Sequence, residues 1–227
     1  MALTFIRLPC SLKFEWKVID CRSKVHRQEG GLEPHLRQAE VELKFPLKDP
    51  EPMRKLLIDM GFSSSGRVFE TNIVFDTPGG TLESSGKLLR LRQDSKVRLT
   101  YKEPPADSTH AGRFKVKQES ELIVTDFETM RYILKRLGFT RERVYEKYRE
   151  HFTRGTGVSV EIDRLPHMGF FLELEAPAES MAQLAAGLGF EPGQGSRENY
   201  FQLFQAHCRR TGLKFSDMRF EDEQEGR

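Results

Sequence analysis

Cysteine is scarce in this chain. Cys10, Cys21 and Cys208 are odd in number and form no CxxC pair, so neither a disulfide framework nor a thiolate zinc site is indicated. The six histidines are scattered, with no two at helical i, i+4 spacing, which argues against a histidine metal centre. No uninterrupted apolar run approaches the roughly 18 residues needed to span a bilayer. Excess charge is also missing: 36 Lys and Arg face 34 Asp and Glu, a net of +2. Bulk attraction to a long nucleic acid is therefore not expected, although a local basic site is compatible with this balance. A cleavable leader is not expected either, because Arg7 interrupts the apolar stretch of MALTFIRLPCSLKFEWK and no small-residue cleavage site follows. These absences point to a soluble globular protein of the reducing cytoplasm. Seventeen Phe among 227 residues are too many for a wholly disordered chain.

What the chain has is alternation. Residues 1–37 show no convincing period and read as an N-terminal extension, disordered at least in part. From Ala39, the run AEVELKF sets Ala39, Val41, Leu43 and Phe45 against Glu40, Glu42 and Lys44, the period of a strand with all its charges on one face. DPEPMRKLLIDMG reads as a helix stopped by Gly61. A strand follows over roughly 67–78, ending in a Pro-Gly-Gly turn. Next come KLLRLRQ, with Leu89 and Leu91 opposite Arg90 and Arg92, and VRLTYK, with Arg98, Thr100 and Lys102 on its polar side. QDSK between them is a hairpin connection. RFKVKQESEL places Arg113, Lys115, Lys117, Glu119 and Glu121 on one face. A helix fits Asp126 to Leu137. Three strands then carry Tyr145, Lys147, Arg149 and His151; Ser159, Glu161 and Asp163; and Glu173 and Glu175 on their polar faces. Two helices, Glu179 to Leu188 and Arg197 to about Arg210, precede an acidic tail over 213–227. Roughly eight strands without a fixed repeat exclude a solenoid.

The charged faces admit two readings. A sheet in water can carry cross-strand ion pairs that discourage edge aggregation, and for any one strand that reading is the simpler. Alternatively, the strands curl so that their charges face a hydrated tunnel and the helices pack on the apolar outside. Enclosed charges must then be compensated by one another, by a metal or by a ligand. Carboxylates suit hard divalent cations such as Mg²⁺ or Mn²⁺, and Lys and Arg suit phosphate oxygens. A metal-bound polyphosphate answers both halves of this inventory.

The run Glu40, Glu42, Lys44 has the ExExK form, and the chain resembles the CYTH superfamily of class IV adenylyl cyclases and thiamine triphosphatases. The similarity continues in order through VFDTPGGTLESSGKLLRLRQ, LTYKEP, EKYRE, VEIDRLPHMGFFLELE and SRENYFQLF, over about residues 38–205, with spacing nearest the class IV cyclase branch. The resemblance implies an α+β fold: an eight-stranded antiparallel β-barrel tunnel with a charged lumen and helices packed outside, occupying residues 38–212. It implies Glu40, Glu42 and Lys44 as catalytic residues. It further implies Glu40, Glu42, Glu121, Asp163, Glu173 and Glu175 as ligands of Mg²⁺ or Mn²⁺. Lys44, Arg90, Arg92, Lys102, Lys117, Lys147 and Arg149 would grip phosphate oxygens. Arg98, Lys115 and Glu161 share these faces as candidate structural pairs, and Glu119 competes with Glu121. The chain departs from the family pattern at Lys117-Gln118-Glu119, where Arg-x-Glu is usual, and at Glu103, where Gly is common. The implied activity is conversion of ATP to cyclic AMP and pyrophosphate; the alternatives are hydrolysis of an inorganic or organic triphosphate, and a polyphosphate- or nucleotide-binding module without turnover. The implied ligand is a nucleoside triphosphate or tripolyphosphate, with neither nucleic acid nor membrane as partner, in a monomer or homodimer.

Overall fold

The computed structural model describes residues 41–104 and 118–221. Glu40, Arg113, Lys115 and Lys117 lie outside the described residues, as does residue span 1–37. Eight strands form one sheet: β1 (Val41–Leu47), β2 (Ser63–Asp76), β3 (Leu88–Gln93), β4 (Val97–Glu103), β5 (Gln118–Val124), β6 (Arg141–Thr153), β7 (Ser159–Leu165) and β8 (Gly169–Ala176). Their order is β1-β8-β7-β6-β2-β3-β4-β5, and every neighbouring pair is antiparallel. No ladder joins β1 to β5 among the described residues. The sheet is nonetheless curled, because Glu42 of β1 and Glu121 of β5, at its two ends, line the same cavity. The architecture is α+β, an antiparallel tunnel.

Among the described residues five α-helices accompany the sheet: α1 (Pro50–Asp59), α2 (Thr81–Ser84), α3 (Phe127–Arg136), α4 (Ala178–Gly187) and α5 (Tyr200–Thr211). Local chemistry sets their starts. Asp49 accepts from the Glu51 amide and Asp126 from that of Thr129, satisfying donors that a helix N-terminus leaves orphaned. Asn199 and Gln202 form a reciprocal capping box, which is why α5 begins at Tyr200 rather than at Arg197. The short α2 was not legible as a helix; Asp76 makes it by accepting from the amides of Leu82 and Glu83. That same turn ends β2 at Asp76, two residues before the end expected from the sequence. At its other end β2 runs back to Ser63 past an irregularity between Ser64 and Arg67. No helix among the described residues is long and apolar enough to cross a membrane.

Helices cover the apolar outside in two halves. Leu43, Phe45, Val160, Ile162, Leu172 and Leu174 pack under α1 and α4, meeting Leu57, Met181 and Ala185. Ile73, Phe75, Leu89, Leu91 and Val144 pack under Leu134 of α3. The third cluster differs, because Tyr145, Leu165 and Phe171 belong to the same strand faces as the lumen charges. They are apolar because α5 covers them with Tyr200, Phe201 and Phe204, joined by the buried Met218. One end of the inner face is therefore occupied by a helix rather than by water.

The free side of β1 is also engaged. Lys44 and Ser196 exchange backbone hydrogen bonds of 2.9 and 2.8 Å. This approach requires glycine at 195, where an added Cβ would stand 2.8 Å from Phe45 Cζ and 3.2 Å from Leu43 Cβ. Replacing Gly195 with Ala should destabilise the fold by about 1–3 kcal/mol through overpacking, read as a lowered thermal midpoint. An unchanged midpoint would mean that the 195–196 segment is not pinned against β1.

Candidate functional site

The site is built by strand register. Across one level of the sheet, Lys44 of β1 pairs with Glu173 of β8, which pairs with Glu161 of β7, which pairs with His151 of β6. One level away, Glu42 pairs with Glu175 and Glu175 with Ser159. In the other direction lie Asp163 and Arg149, and on the far wall Glu70 faces Lys147. Period two sends all of these side chains to one side. All but Asp163 and Ser159 line a cavity of about 560 Å³. Among the described residues its acidic lining is Glu42, Glu70, Asp94, Glu119, Glu121, Glu161, Glu173 and Glu175, and its basic lining is Lys44, Arg90, Arg92, Arg98, Lys102, Lys147, Arg149 and Arg197. The two signs are equal in number.

Asp163 anchors the basic side chains. Arg149 grips it with two hydrogen bonds of 2.8 and 2.6 Å, Lys147 Nζ donates at 3.1 Å and the Tyr200 hydroxyl donates at 2.6 Å. Arg149 also reaches Glu173 at 3.0 Å. Lys44 pairs with Glu42 and lies 3.8 Å from Glu173. The Tyr200 ring sits beneath both lysines, 5.1 Å from Lys44 Nζ and 5.3 Å from Lys147 Nζ, a cation–π arrangement. On the opposite wall Glu70 receives Lys147 at 3.6 Å and Arg92 at 3.3 Å, while Asn72 accepts from Arg92 Nε at 2.9 Å. Arg90 reaches Tyr145 and Thr100 at 3.5 and 3.4 Å. Lys102 pairs with Glu119 at 2.6 Å, and Glu121 accepts from Thr100 at 2.9 Å.

This crowding shifts the ionisations. Burial pushes the Lys44 ammonium below its ordinary value. Burial would raise Glu173, but Lys44, Arg149 and Lys147 hold its carboxyl well below the usual range. The Tyr200 phenol is driven well up, first by burial and then by Asp163. Tyr145 goes the other way: burial opposes ionisation, yet Arg90, Lys147 and Arg92 lower its value. Burial raises Glu161, and the hydrogen bond to Glu161 raises His151.

Of the residues singled out in the sequence, Glu42, Lys44, Arg90, Arg92, Lys102, Glu121, Lys147, Arg149, Glu173 and Glu175 meet in the cavity. Asp163 lies behind them, its side chain closed off by Arg149, Lys147 and Tyr200. Glu70, Asn72 and Tyr200 were not singled out. The alternation Val68, Glu70, Asn72, Val74 carried a signal for the first two, whereas nothing in SRENYFQLF revealed that Tyr200 turns inward. The donor set fits a hard divalent cation. Oxygens of Glu42, Glu173 and Glu175 all lie within 4.8 Å of one another, a span that one such ion can bridge at ordinary metal–oxygen distances.

The CYTH domain profile matches residues 38–188. The chain belongs to the CYTH family. It is 28% identical over 175 residues to a protein of Methanocaldococcus jannaschii provisionally named an adenylate cyclase, a match covering 72% of this chain and 97% of that one. Its fold is similar to that of a Vibrio parahaemolyticus protein, with a TM-score of 0.64, 21% identity, and coverage of 74% of this chain and 98% of that chain. A Pyrococcus horikoshii protein gives a TM-score of 0.60 at 26% identity, over 72% of this chain and 98% of that one.

Glu70 provides a test of the buried network. Burial alone would raise its carboxyl, but Lys147, Arg149 and Arg92 hold it well below the ordinary value of 4.5. A depressed carboxyl contributes stability that is complete above the unfolded-state value and lost as pH falls toward the folded-state value. Glu70→Gln should therefore cost about 3 kcal/mol at neutral pH by leaving buried cations uncompensated. The gap from wild type should narrow steadily below about pH 4.5. Urea melts of both proteins at several pH values would read it, and a gap independent of pH would remove Glu70 from the network.

Proposed function

We propose that this CYTH protein is a divalent-metal-dependent, triphosphate-processing enzyme of the class IV adenylyl cyclase type. One observation carries the reading: a carboxylate trio able to hold a cation, Glu42, Glu173 and Glu175, stands beside buried and half-buried basic side chains from three other strands in one cavity. A simple wet sheet would leave such charges solvated, and a purely anion-binding cleft would have no use for the trio. The match along 97% of a relative provisionally named an adenylate cyclase, together with the LRLR and LTYK runs, supports the cyclase branch.

In this reading Glu42, Glu173 and Glu175 hold Mg²⁺ or Mn²⁺. When bound there, such an ion would supply neutralisation of charge on the leaving pyrophosphate and would lower the pKa of the attacking oxygen. Arg90 and Arg92 on one wall and Lys147 and Arg149 on another grip the phosphate chain, and Lys44 contacts it between the carboxylates. Holding the chain from two walls aligns the ribose 3′-oxygen with the α-phosphorus and the departing pyrophosphate, so that positioning supplies much of the acceleration. Asp163, Glu70 and Tyr200 keep the basic groups in place before the ligand arrives, which reduces the reorganisation needed at the moment of reaction.

Purified protein incubated with ATP and Mg²⁺ or Mn²⁺ should release cyclic AMP and pyrophosphate. Glu42→Gln should lower turnover by orders of magnitude, since Gln keeps one oxygen but loses the charge that holds a hard cation. Arg90→Ala should instead raise KM, the loss of a charge-assisted contact of roughly 1.5–3 kcal/mol. Inorganic phosphate from ATP or tripolyphosphate, without cyclic AMP, would assign hydrolysis to the same cradle. Turnover of neither substrate with either metal would overturn the enzymatic reading.

A further inference from the structure

Glu161 has a feature that the triphosphate reading does not use. Its Oε2 atom is buried and has no hydrogen-bond partner, although the side chain lines the cavity and the residue is only 2% exposed. The other oxygen is firmly held: Oε1 lies 2.7 Å from His151 Nδ1 and accepts from Ser159 Oγ at 3.0 Å. A carboxylate fixed through one oxygen, with the second buried and unpaired, lacks a partner for that second oxygen. Leaving such an atom unsatisfied costs free energy. Its neighbours tell what the partner is. Glu161 stands opposite Glu173 in the β7–β8 ladder, and Glu175 stands opposite Ser159. A second anion brought against these carboxylates is repelled, whereas a divalent cation is attracted, and oxygens of Glu42, Glu173 and Glu175 already lie within 4.8 Å of one another.

Asp163 has the opposite character. It sits two residues further along the same face, but Arg149, Lys147 and Tyr200 already consume its oxygens, and it forms no part of the cavity lining. We propose that Glu161, oriented by His151 and Ser159, is the fourth carboxylate of the cation-binding wall formed by Glu42, Glu173 and Glu175, and that Asp163 positions the basic side chains rather than binding metal. The inference rests on the reading of the tunnel as a cation-dependent triphosphate site. His151 is the positioning residue: its Nδ1–H donates to Oε1 and fixes the carboxylate, as outer hydrogen bonds commonly orient metal ligands.

Mn²⁺ alone, titrated into the full chain without nucleotide and followed by loss of the free-ion EPR signal, tests this. Glu161→Gln should raise the dissociation constant by about tenfold or more, as Glu42→Gln should. Without Mn²⁺, Glu161→Gln should melt no lower than wild type, because it removes a buried charge facing other carboxylates; a structural ion pair with His151 would predict a lower midpoint. His151→Ala should weaken Mn²⁺ about tenfold, and His151→Asn, which keeps a donor near the Nδ1 position, should restore most of the affinity. These two variants decide the matter even if Glu161→Gln fails to fold. Asp163→Asn should melt lower and yet bind Mn²⁺ within about twofold of wild type. Wild-type affinity and stoichiometry in Glu161→Gln, with loss in Glu42→Gln, would overturn this inference and leave the triphosphate reading standing. Failure of wild type to bind Mn²⁺ at all would overturn both.

Discussion

Cross-strand neutralisation of enclosed charge is the constraint on which the structure depends. A charge removed from water is tolerated only where an opposite charge and further hydrogen bonds replace its hydration. Here the replacement is achieved by register: Lys44 lies opposite Glu173, Glu70 opposite Lys147, and Arg149 opposite Asp163. A slip of one residue in any of these ladders would reverse the faces, placing Leu43 or Leu172 in the lumen and the charges under the helices. The apolar outside and the ionic inside therefore specify the same pairing twice.

The helices divide the labour accordingly. α1, α4 and α3 seal the outer apolar face, while α5 lies on the inner one. By ending the charged lumen with Tyr200 and Phe201, α5 keeps water from one end of the network and supplies the ring under Lys44 and Lys147. The hydroxyl of that same ring donates to Asp163. One side chain thus joins the apolar stopper to the ionic core.

Much of this was legible in the sequence, because the alternation of charged and apolar residues is a direct image of a two-faced strand. Arg90 and Arg92 against Leu89 and Leu91, or Glu173 and Glu175 against Leu172 and Leu174, fix the strand and its polar side together. What was hidden depends on three dimensions. The reach of Arg149 and Lys147 decides that Asp163 is consumed while Glu161, equally acidic and two residues away, keeps a bare oxygen. Periodicity treats those two residues alike. Tyr200 reads as part of an ordinary amphipathic helix, and only docking shows that its buried stripe meets the lumen face rather than the outer wall. The turn at α2 depends on Asp76 capping amides six and seven residues ahead, a contact that no strand or helix period encodes.

The equal lining of both signs has a kinetic consequence. A cleft with a surplus of one charge projects a field into solvent and draws its ligand in from a distance, at a rate that falls steeply as salt is added. Within the described residues this lumen projects little net field, since its positive and negative groups lie within a few ångströms of one another and cancel beyond its mouth. A lining so balanced would leave capture of an anion to ordinary diffusion, with a rate that depends only weakly on ionic strength. Discrimination would then fall to the inside, where an anion would have to meet the basic walls and carry enough positive charge to quiet the carboxylates. Within the described residues, the lining favours selection at contact over attraction from a distance.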